Sequence, residues 1–184
     1  MSAKAMIPLE FQCIDNITPQ IFTTRVIEPV LCHLSEIAFS KAASQLLLGT
    51  ALHESMGLKH RRQVGGGPAR SLFQMEPATH DDIWTNFLAY RDALKGQIEG
   101  LLSSPTANKH LELEFNDNYA AGMARVHYFR APDALPKSND LISQSNYWKK
   151  HYNTALGAGT PTKYQNDWKA HGGPDVLFRI DCSI

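Results

Sequence analysis

Residues 40–55 constrain the fold of this chain more than any other segment. Apolar and small side chains recur there at steps of three and four residues, a pattern that predicts an α-helix. Ala43, Leu47 and Thr50 fall on one stripe of this helix, and the same stripe ends at Glu54. The pattern therefore places a carboxyl group on the helix face that is expected to be buried.

The position of Glu54 predicts an unusual protonation state. Desolvation disfavours the charged form of a carboxyl group and raises its pKa. The C-terminal end of a helix acts more weakly in the same direction, because the helix dipole disfavours negative charge there. A carboxyl group that keeps its proton near neutral pH can protonate a glycosidic oxygen as a general acid. The alternative is that Glu54 is a solvated residue at a frayed helix end.

A basic, glycine-rich loop and a short turn motif follow the helix. Residues 59–70 read KHRRQVGGGPAR, and their small side chains would let a bulky sugar approach the backbone. An ordinary flexible turn is the alternative. The segment lacks the Gly-Lys-Ser/Thr ending of a phosphate-binding loop, which argues against a nucleotide site. Residues 71–79 read SLFQMEPAT, so that Gln74, Pro77 and Thr79 stand at fixed offsets after Ser71.

The Glu54-Ser55 pair, the glycine-rich loop and the Ser-Leu-Phe-Gln turn together resemble the active-site half of lysozyme-like lytic transglycosylases. The resemblance covers roughly residues 45–80, and the family pattern has Gly where this chain has Ser71. It implies a mainly α, lysozyme-like fold of the goose-type lysozyme and lytic transglycosylase class. Residues 1–184 are expected to form one catalytic domain, with an irregular lead-in over residues 1–18, and the length suits one core.

The resemblance also implies which residues bind substrate. Ser55 and Gln74 match family positions that orient the substrate. The family has a later Ala-Tyr-Asn-x-Gly segment that lines the cleft, and its nearest match here supplies Tyr152 and Asn153. Tyr119, which precedes Ala-Ala-Gly, is a rival for the tyrosine role.

The implied reaction is cleavage of the β-1,4 bond between N-acetylmuramic acid and N-acetylglucosamine in bacterial peptidoglycan. Glu54 would act as general acid and then as base, while the muramic 6-hydroxyl closes a 1,6-anhydro ring without water. One alternative is a hydrolytic muramidase that uses the same Glu54 together with a second carboxylate. Another is a non-catalytic wall-binding or virion structural protein that retains the fold. The candidate second carboxylates are Glu76, Asp81, Asp82 and Asp117.

Composition narrows the partners. The formal net charge is zero, so no global charge favours nucleic acid, and no apolar stretch is long enough for membrane insertion. The expected partner is the glycan strand of peptidoglycan, with virion or secretion-apparatus proteins as further partners. The first residues lack the hydrophobic region of a signal peptide. We therefore expect a phage virion-associated protein, or one released to the periplasm and cell wall by a non-Sec route.

No cofactor or metal site is predicted. His53-Glu54 begins like the zinc motif HExxH, but Gly57 stands where the second His is needed. The other histidines are scattered along the sequence, and His127 is expected to be a packing group or a partly solvated side chain. The cysteines are odd in number, widely spaced and without a CxxC pair, which favours buried free thiols over a zinc site. They are Cys13, Cys32 and Cys182, and a Cys13–Cys182 bridge is the alternative.

Several further helices and one aromatic role are predicted. Trp148, near Tyr147 and Tyr152, is the tryptophan best placed to line a cleft and stack on a sugar ring. A small strand element is expected near the termini. The remaining expectations are a helix start at Thr18-Pro19 with an interruption near Pro29, a helical continuation over 30–39, caps at Ser40 and Thr79, a long helix from 116–118, and helices over 143–152 and 161–170.

Overall fold

The computed structural model describes residues 17–153 and 157–183, and these residues are mainly helical, as the sequence predicts. Most of the predicted lead-in, residues 1–16, lies outside the described part of the chain. The α-helices of the described residues are α1 (Pro19–Phe22), α2 (Glu28–His33), α3 (Lys41–Glu54), α4 (Pro77–Asn86), α5 (Asp92–Glu99), α6 (Lys109–Phe115), α7 (Asp117–Phe129), α8 (Leu141–Trp148) and α9 (Pro161–Ala170).

The first helical segment begins where the sequence predicts. The Thr18 side chain accepts a hydrogen bond from the Ile21 backbone N–H at 3.2 Å, and Pro19 occupies the first turn. A π-helical turn over Thr23–Ile27 joins α1 to α2 and lies just before Pro29. Proline has no backbone N–H to donate, so a widened turn at this place fits the predicted interruption. The expected continuation over 30–39 is wrong beyond His33, where α2 ends.

Helix α3 is the centre of the structure. Ser40 caps it as predicted, because its hydroxyl accepts from the Ala43 backbone N–H at 3.1 Å. Every residue from Ala43 to His53 is buried, so α3 is surrounded on all faces and is not only striped. Helix α9 packs closely on α3 at Gly49, where a Cβ atom would lie 2.0 Å from the Tyr164 hydroxyl oxygen.

The sequence does not predict helix α6, and of the predicted starts of α4 and α7 one differs from the structure. Helix α4 begins at Pro77, with Glu76 before it. Thr79 therefore lies inside the first turn, and the prediction that it caps the helix is wrong. Proline is well suited to the first helical position because the missing N–H has no intrahelical partner there. Helix α7 begins within the predicted interval, and the Asn116 side chain accepts from the Tyr119 backbone N–H at 3.1 Å.

Two helices, α8 and α9, lie in the C-terminal part of the described chain. Helix α8 continues directly into a π-helical turn over Lys149–Asn153, which together cover most of the predicted helix. Helix α9 has the predicted bounds and is capped by Thr160. The expected strand is not found near the described C-terminal end, and in the described residues β pairing is confined to isolated bridges of Arg70 with Arg62 and Met75.

One apolar core joins these elements. It runs from Phe22 in α1 to Val176 beyond α9 and includes the fully buried rings of Trp148, Tyr119 and Tyr164. Among the described helices, none combines the length and apolar character that crossing a bilayer requires.

A disulfide bond corrects the prediction of free thiols. Cys32 of α2 is bonded to Cys182, 150 residues later, with their Cα atoms 5.6 Å apart. The sequence could not pair these residues, because neither their spacing nor their number identifies partners. The bond fastens the tail after α9 to α2. There the buried Glu28 carboxylate accepts a hydrogen bond from the Arg179 backbone N–H at 2.7 Å.

We expect loss of this disulfide to lower the free energy of unfolding by roughly 2–5 kcal/mol, because the bond constrains a long loop of the unfolded chain. Chemical denaturation of Cys32→Ser beside wild type would measure the change. Cys13→Ser is the matched control, since it leaves the Cys32–Cys182 bond intact. Equal stability of Cys32→Ser and wild type would show that the bond contributes nothing.

Candidate active site

Glu54 is the last residue of α3, and its position follows from how that helix ends. Gly57 adopts a left-handed conformation with φ of +80°, and its N–H donates to the Leu52 carbonyl at 2.8 Å. This closure is typical of helix C-termini that end in glycine. The helix is buried from Ala43 to His53, and the next residue, Glu54, is partly exposed at its end.

The carboxyl group of Glu54 has the protonation state expected of a general acid. Burial raises its pKa from 4.5 to about 7. Two weaker influences lower the pKa, a hydrogen bond from Trp148 and the positive charge of Lys163. The Trp148 indole N–H donates to Oε1 at 2.9 Å. Because Oε1 accepts this bond, the proton of the acid form belongs on the other carboxyl oxygen.

Trp148 has a different role from the predicted one. It is fully buried, so it cannot stack on a sugar ring in the cleft. The indole packs edge-on against the His53 ring, with centroids 4.4 Å apart, and lies 5.3 Å from the Tyr164 ring. His53 is in turn held by Asp167, whose Oδ2 lies 2.6 Å from His53 Nδ1. Trp148 is therefore a positioning residue for Glu54, fixed by a packed aromatic group.

A cavity of about 530 Å³ opens in front of Glu54. Its walls come from the end of α3, the glycine-rich loop, the turn before α4, one face of α7 and the π-helical turn after α8. The predicted residues Gln74, Tyr152 and Asn153 line this cavity together with Glu54. The fold thus brings four of the six predicted site residues to one cavity.

Gln74 is presented by a tight turn. The backbones of Arg70 and Met75 pair through two hydrogen bonds of 2.9 Å, and Gln74 itself has φ of +48°. Its side-chain amide donates to the Ser71 carbonyl at 2.7 Å and to the His60 carbonyl at 3.2 Å. Ser71 has φ of +68°, in the left-handed region that favours glycine. The Ser71 hydroxyl accepts from the Phe73 N–H at 3.1 Å, which supports the turn without a glycine.

Tyr152 and Asn153 form a part of the cavity wall that contacts this turn. The Tyr152 hydroxyl donates to the Phe73 carbonyl at 2.8 Å and so joins the two walls. Burial raises the pKa of Tyr152 well above 10, and the charge of Glu54 raises it further. Asn153 Oδ1 accepts a hydrogen bond from Lys149 Nζ at 2.8 Å.

Ser55 and Tyr119 do not line the cavity, so their predicted contact with substrate is not supported. Ser55 is fully buried, where its hydroxyl donates to the Ala51 carbonyl at 2.6 Å and accepts from the Leu58 N–H at 2.8 Å. It closes the end of α3 and so helps to position Glu54. Tyr119 is also fully buried, and its hydroxyl lies 2.7 Å from His80 Nε2.

His127 is a cavity residue that the sequence does not identify as a site residue, since a packing or partly solvated side chain is predicted there. It lies on α7 and lines the cavity beside Tyr152, with ring centroids 4.9 Å apart. Burial lowers the pKa of His127 to about 4, so the ring is neutral near neutral pH. Its Nδ1 is buried and has no hydrogen-bond partner in the described part of the chain. A histidine inside a helix carries no sequence signal for this role.

Of the four candidate second carboxylates, one lines the cavity. Glu76 lines the cavity. Asp117 is buried in an ion pair with Arg61, and Asp82 pairs with Arg130 at 2.6 Å. Asp81 lies between two histidines away from the cavity.

We expect Glu54→Gln to stabilise the protein more at about pH 8 than at about pH 5. The folded-state pKa of Glu54 is raised to about 7, so its contribution to stability is present below 4.5 and lost as pH rises through 7. The advantage of the variant should grow by about 2–3 kcal/mol over that interval. Urea denaturation at both pH values measures it, with Glu76→Gln as control. An advantage that does not change with pH would contradict the raised pKa.

No family model matches this chain, and no curated protein or solved structure is significantly similar to it. The chemical interpretation of the site therefore depends on its own geometry.

Proposed function

We propose that this chain cleaves the β-1,4 bond between N-acetylmuramic acid and N-acetylglucosamine in peptidoglycan, as a lytic transglycosylase of lysozyme-like fold. The observation that carries the proposal is the buried carboxyl group of Glu54, whose pKa of about 7 suits a general acid, at the wall of a large cavity. Gln74, Tyr152 and Asn153 on the same cavity support it, because the resemblance assigns these residues to substrate binding.

The first chemical step uses the protonated form of Glu54. Its proton moves to the glycosidic oxygen as the bond between that oxygen and C1 of the muramic acid breaks. Positive charge develops at C1, and the acetamido group of the substrate stabilises it. The neutral imidazole of His127 and the amide of Gln74 are polar groups that can hold the sugar in the cavity.

The second step uses Glu54 as a carboxylate. It takes the proton of the muramic 6-hydroxyl, whose oxygen forms a new bond to C1 and closes the 1,6-anhydro ring. The proton that Glu54 lost in the first step is thereby restored, and no water is consumed. Burial of the carboxylate makes it a stronger base than a solvated one, since its pKa is raised.

A hydrolytic muramidase is the second candidate, and Glu76 is the observation that favours it. This exposed carboxylate lines the same cavity as Glu54 and could activate a water molecule, as inverting enzymes require.

The Cys32–Cys182 disulfide supports action in an oxidising compartment. Such bonds persist outside the cytosol, including in the bacterial periplasm. We propose that the protein works there or at the cell wall, as a virion-associated or released protein. Virion or secretion-apparatus proteins would then be its partners.

Mass spectrometry of digested peptidoglycan tests the reaction. We expect wild type to release 1,6-anhydro-muramic ends, Glu54→Gln to release none, and Glu76→Gln to resemble wild type. Reducing muramic ends that disappear in Glu76→Gln would instead identify a muramidase. Wild type that binds the wall without cutting it would identify a binding protein and refute catalysis.

The hydrogen bond from Trp148 provides a second test. Because this bond lowers the pKa of Glu54, Trp148→Phe should move the alkaline limb of the kcat/KM profile from about 7 to higher pH. Trp168→Phe is the matched control, since Trp168 packs against Phe178 and is not bonded to Glu54. A limb that stays in place in Trp148→Phe would mean that another group controls it.

A further inference from the structure

A compact group of possible metal ligands lies outside the cavity described above. His80 and Asp81 are consecutive residues of α4, and His110 lies on α6. Asp81 Oδ1 is 2.8 Å from His80 Nδ1 and 2.7 Å from His110 Nε2. The three ligand atoms all lie within 4.8 Å of one another. Two imidazoles thus converge on one carboxylate oxygen from two different helices.

The spacing of these atoms suits a small divalent cation. Zinc binds imidazole nitrogen and carboxylate oxygen at about 2.0–2.2 Å, so its tetrahedral ligands are roughly 3.3–3.5 Å apart. Asp81 Oδ1 lies closer than that to both imidazole nitrogens, at 2.7 and 2.8 Å, and shifts of less than about 1 Å would complete the arrangement. Binding would replace the imidazole N–H protons that now point at Asp81 with one metal ion.

The surroundings of His80 are those of a positioned ligand. Its ring is buried, and its Nε2 lies 2.7 Å from the hydroxyl oxygen of Tyr119. Trp84 donates its indole N–H to the same hydroxyl oxygen at 2.9 Å. Histidine ligands usually donate their second N–H to such a partner, which fixes the ring and its tautomer. In the metal-bound state Nε2 would carry the ring proton and donate it to the Tyr119 hydroxyl, while Nδ1 would bind the ion in place of its present hydrogen bond to Asp81.

We propose that His80, Asp81 and His110 form a binding site for a divalent transition-metal ion, with zinc as the best fit. Three protein ligands leave a fourth position to water in a cleft of about 570 Å³. The ion would tie α4 to α6. Because α4 begins at Pro77, between Glu76 and Thr79 of the active-site wall, this link would brace that wall. The metal site does not depend on the proposed glycan cleavage.

The charge of the site limits its affinity. Asp81 supplies the one negative ligand, and Lys109 Nζ lies over the Trp84 ring at 4.5 Å from its centroid. Two neutral imidazoles and one carboxylate leave a bound divalent ion with a net positive charge, next to a lysine. We therefore expect micromolar binding of zinc, weaker than at sites built from thiolates.

Calorimetric titration of zinc chloride into the untagged, EDTA-treated full chain tests this proposal. We expect one ion per chain in wild type. His110→Ala and Asp81→Asn remove ligands with exposed side chains and should weaken binding by about tenfold or more. His33→Ala is the matched control, because its imidazole bonds to the Gln97 carbonyl and belongs to no ligand group. It should bind zinc like wild type.

Tyr119→Phe distinguishes zinc binding at this site from adventitious zinc binding by surface histidines. The buried hydroxyl cannot touch the ion, yet its loss should weaken zinc binding roughly 10- to 100-fold if His80 is a ligand. Cobalt(II) titration monitored by visible absorption gives an independent measure, since tetrahedral cobalt absorbs strongly. The proposal is overturned if wild type shows no saturable binding below roughly 100 μM, above the expected range. It is equally overturned if His110→Ala and Asp81→Asn bind zinc as tightly as wild type.

Discussion

The side chains of α3 are buried on every face from Ala43 to His53, so the whole fold is packed around this one helix. A polar group at its end has no free direction in which to reach bulk water except along the helix axis. Glu54 occupies that end and faces the cavity that the surrounding elements line. The raised pKa of Glu54 is thus a result of packing, because desolvation is its largest cause.

The shell behind Glu54 is aromatic and is held by one chain of contacts. Asp167 fixes His53, the His53 ring packs on Trp148, and Trp148 donates to Glu54. Rings are rigid and apolar, so this shell orients the carboxyl group and excludes water from one side of it. Among the residues that the structure describes, one N–H group, that of Trp148, donates to the carboxylate. Burial raises the pKa of Glu54 and the hydrogen bond from Trp148 lowers it. The pKa therefore lies between that of a solvated carboxyl group and that of a fully desolvated one.

The local features of the site could be predicted, whereas the long-range ones could not. Glu54 and Gln74 belong to short patterns in which helix periodicity and turn offsets carry the information, and both line the cavity. The bond from Trp148 joins residues 94 positions apart, and His110 meets Asp81 across 29 positions. Cys32 pairs over 150 positions. Such contacts depend on how helices pack, and the spacing of residues in the sequence does not predict them. Ser55 follows Glu54 as the resemblance requires, but its hydroxyl donates to the Ala51 carbonyl and closes the helix end.

The turn that carries Gln74 has a consequence for the entropy of ligand binding. Ser71 and Gln74 both hold left-handed backbone conformations that cost non-glycine residues free energy, and such conformations persist only where neighbouring contacts impose them. Here the hydroxyl of Ser71, the paired backbones of Arg70 and Met75, and the tether from Tyr152 impose them. The wall is therefore ordered before any ligand arrives. A ligand that binds there loses its own conformational freedom, but binding does not also have to order the wall.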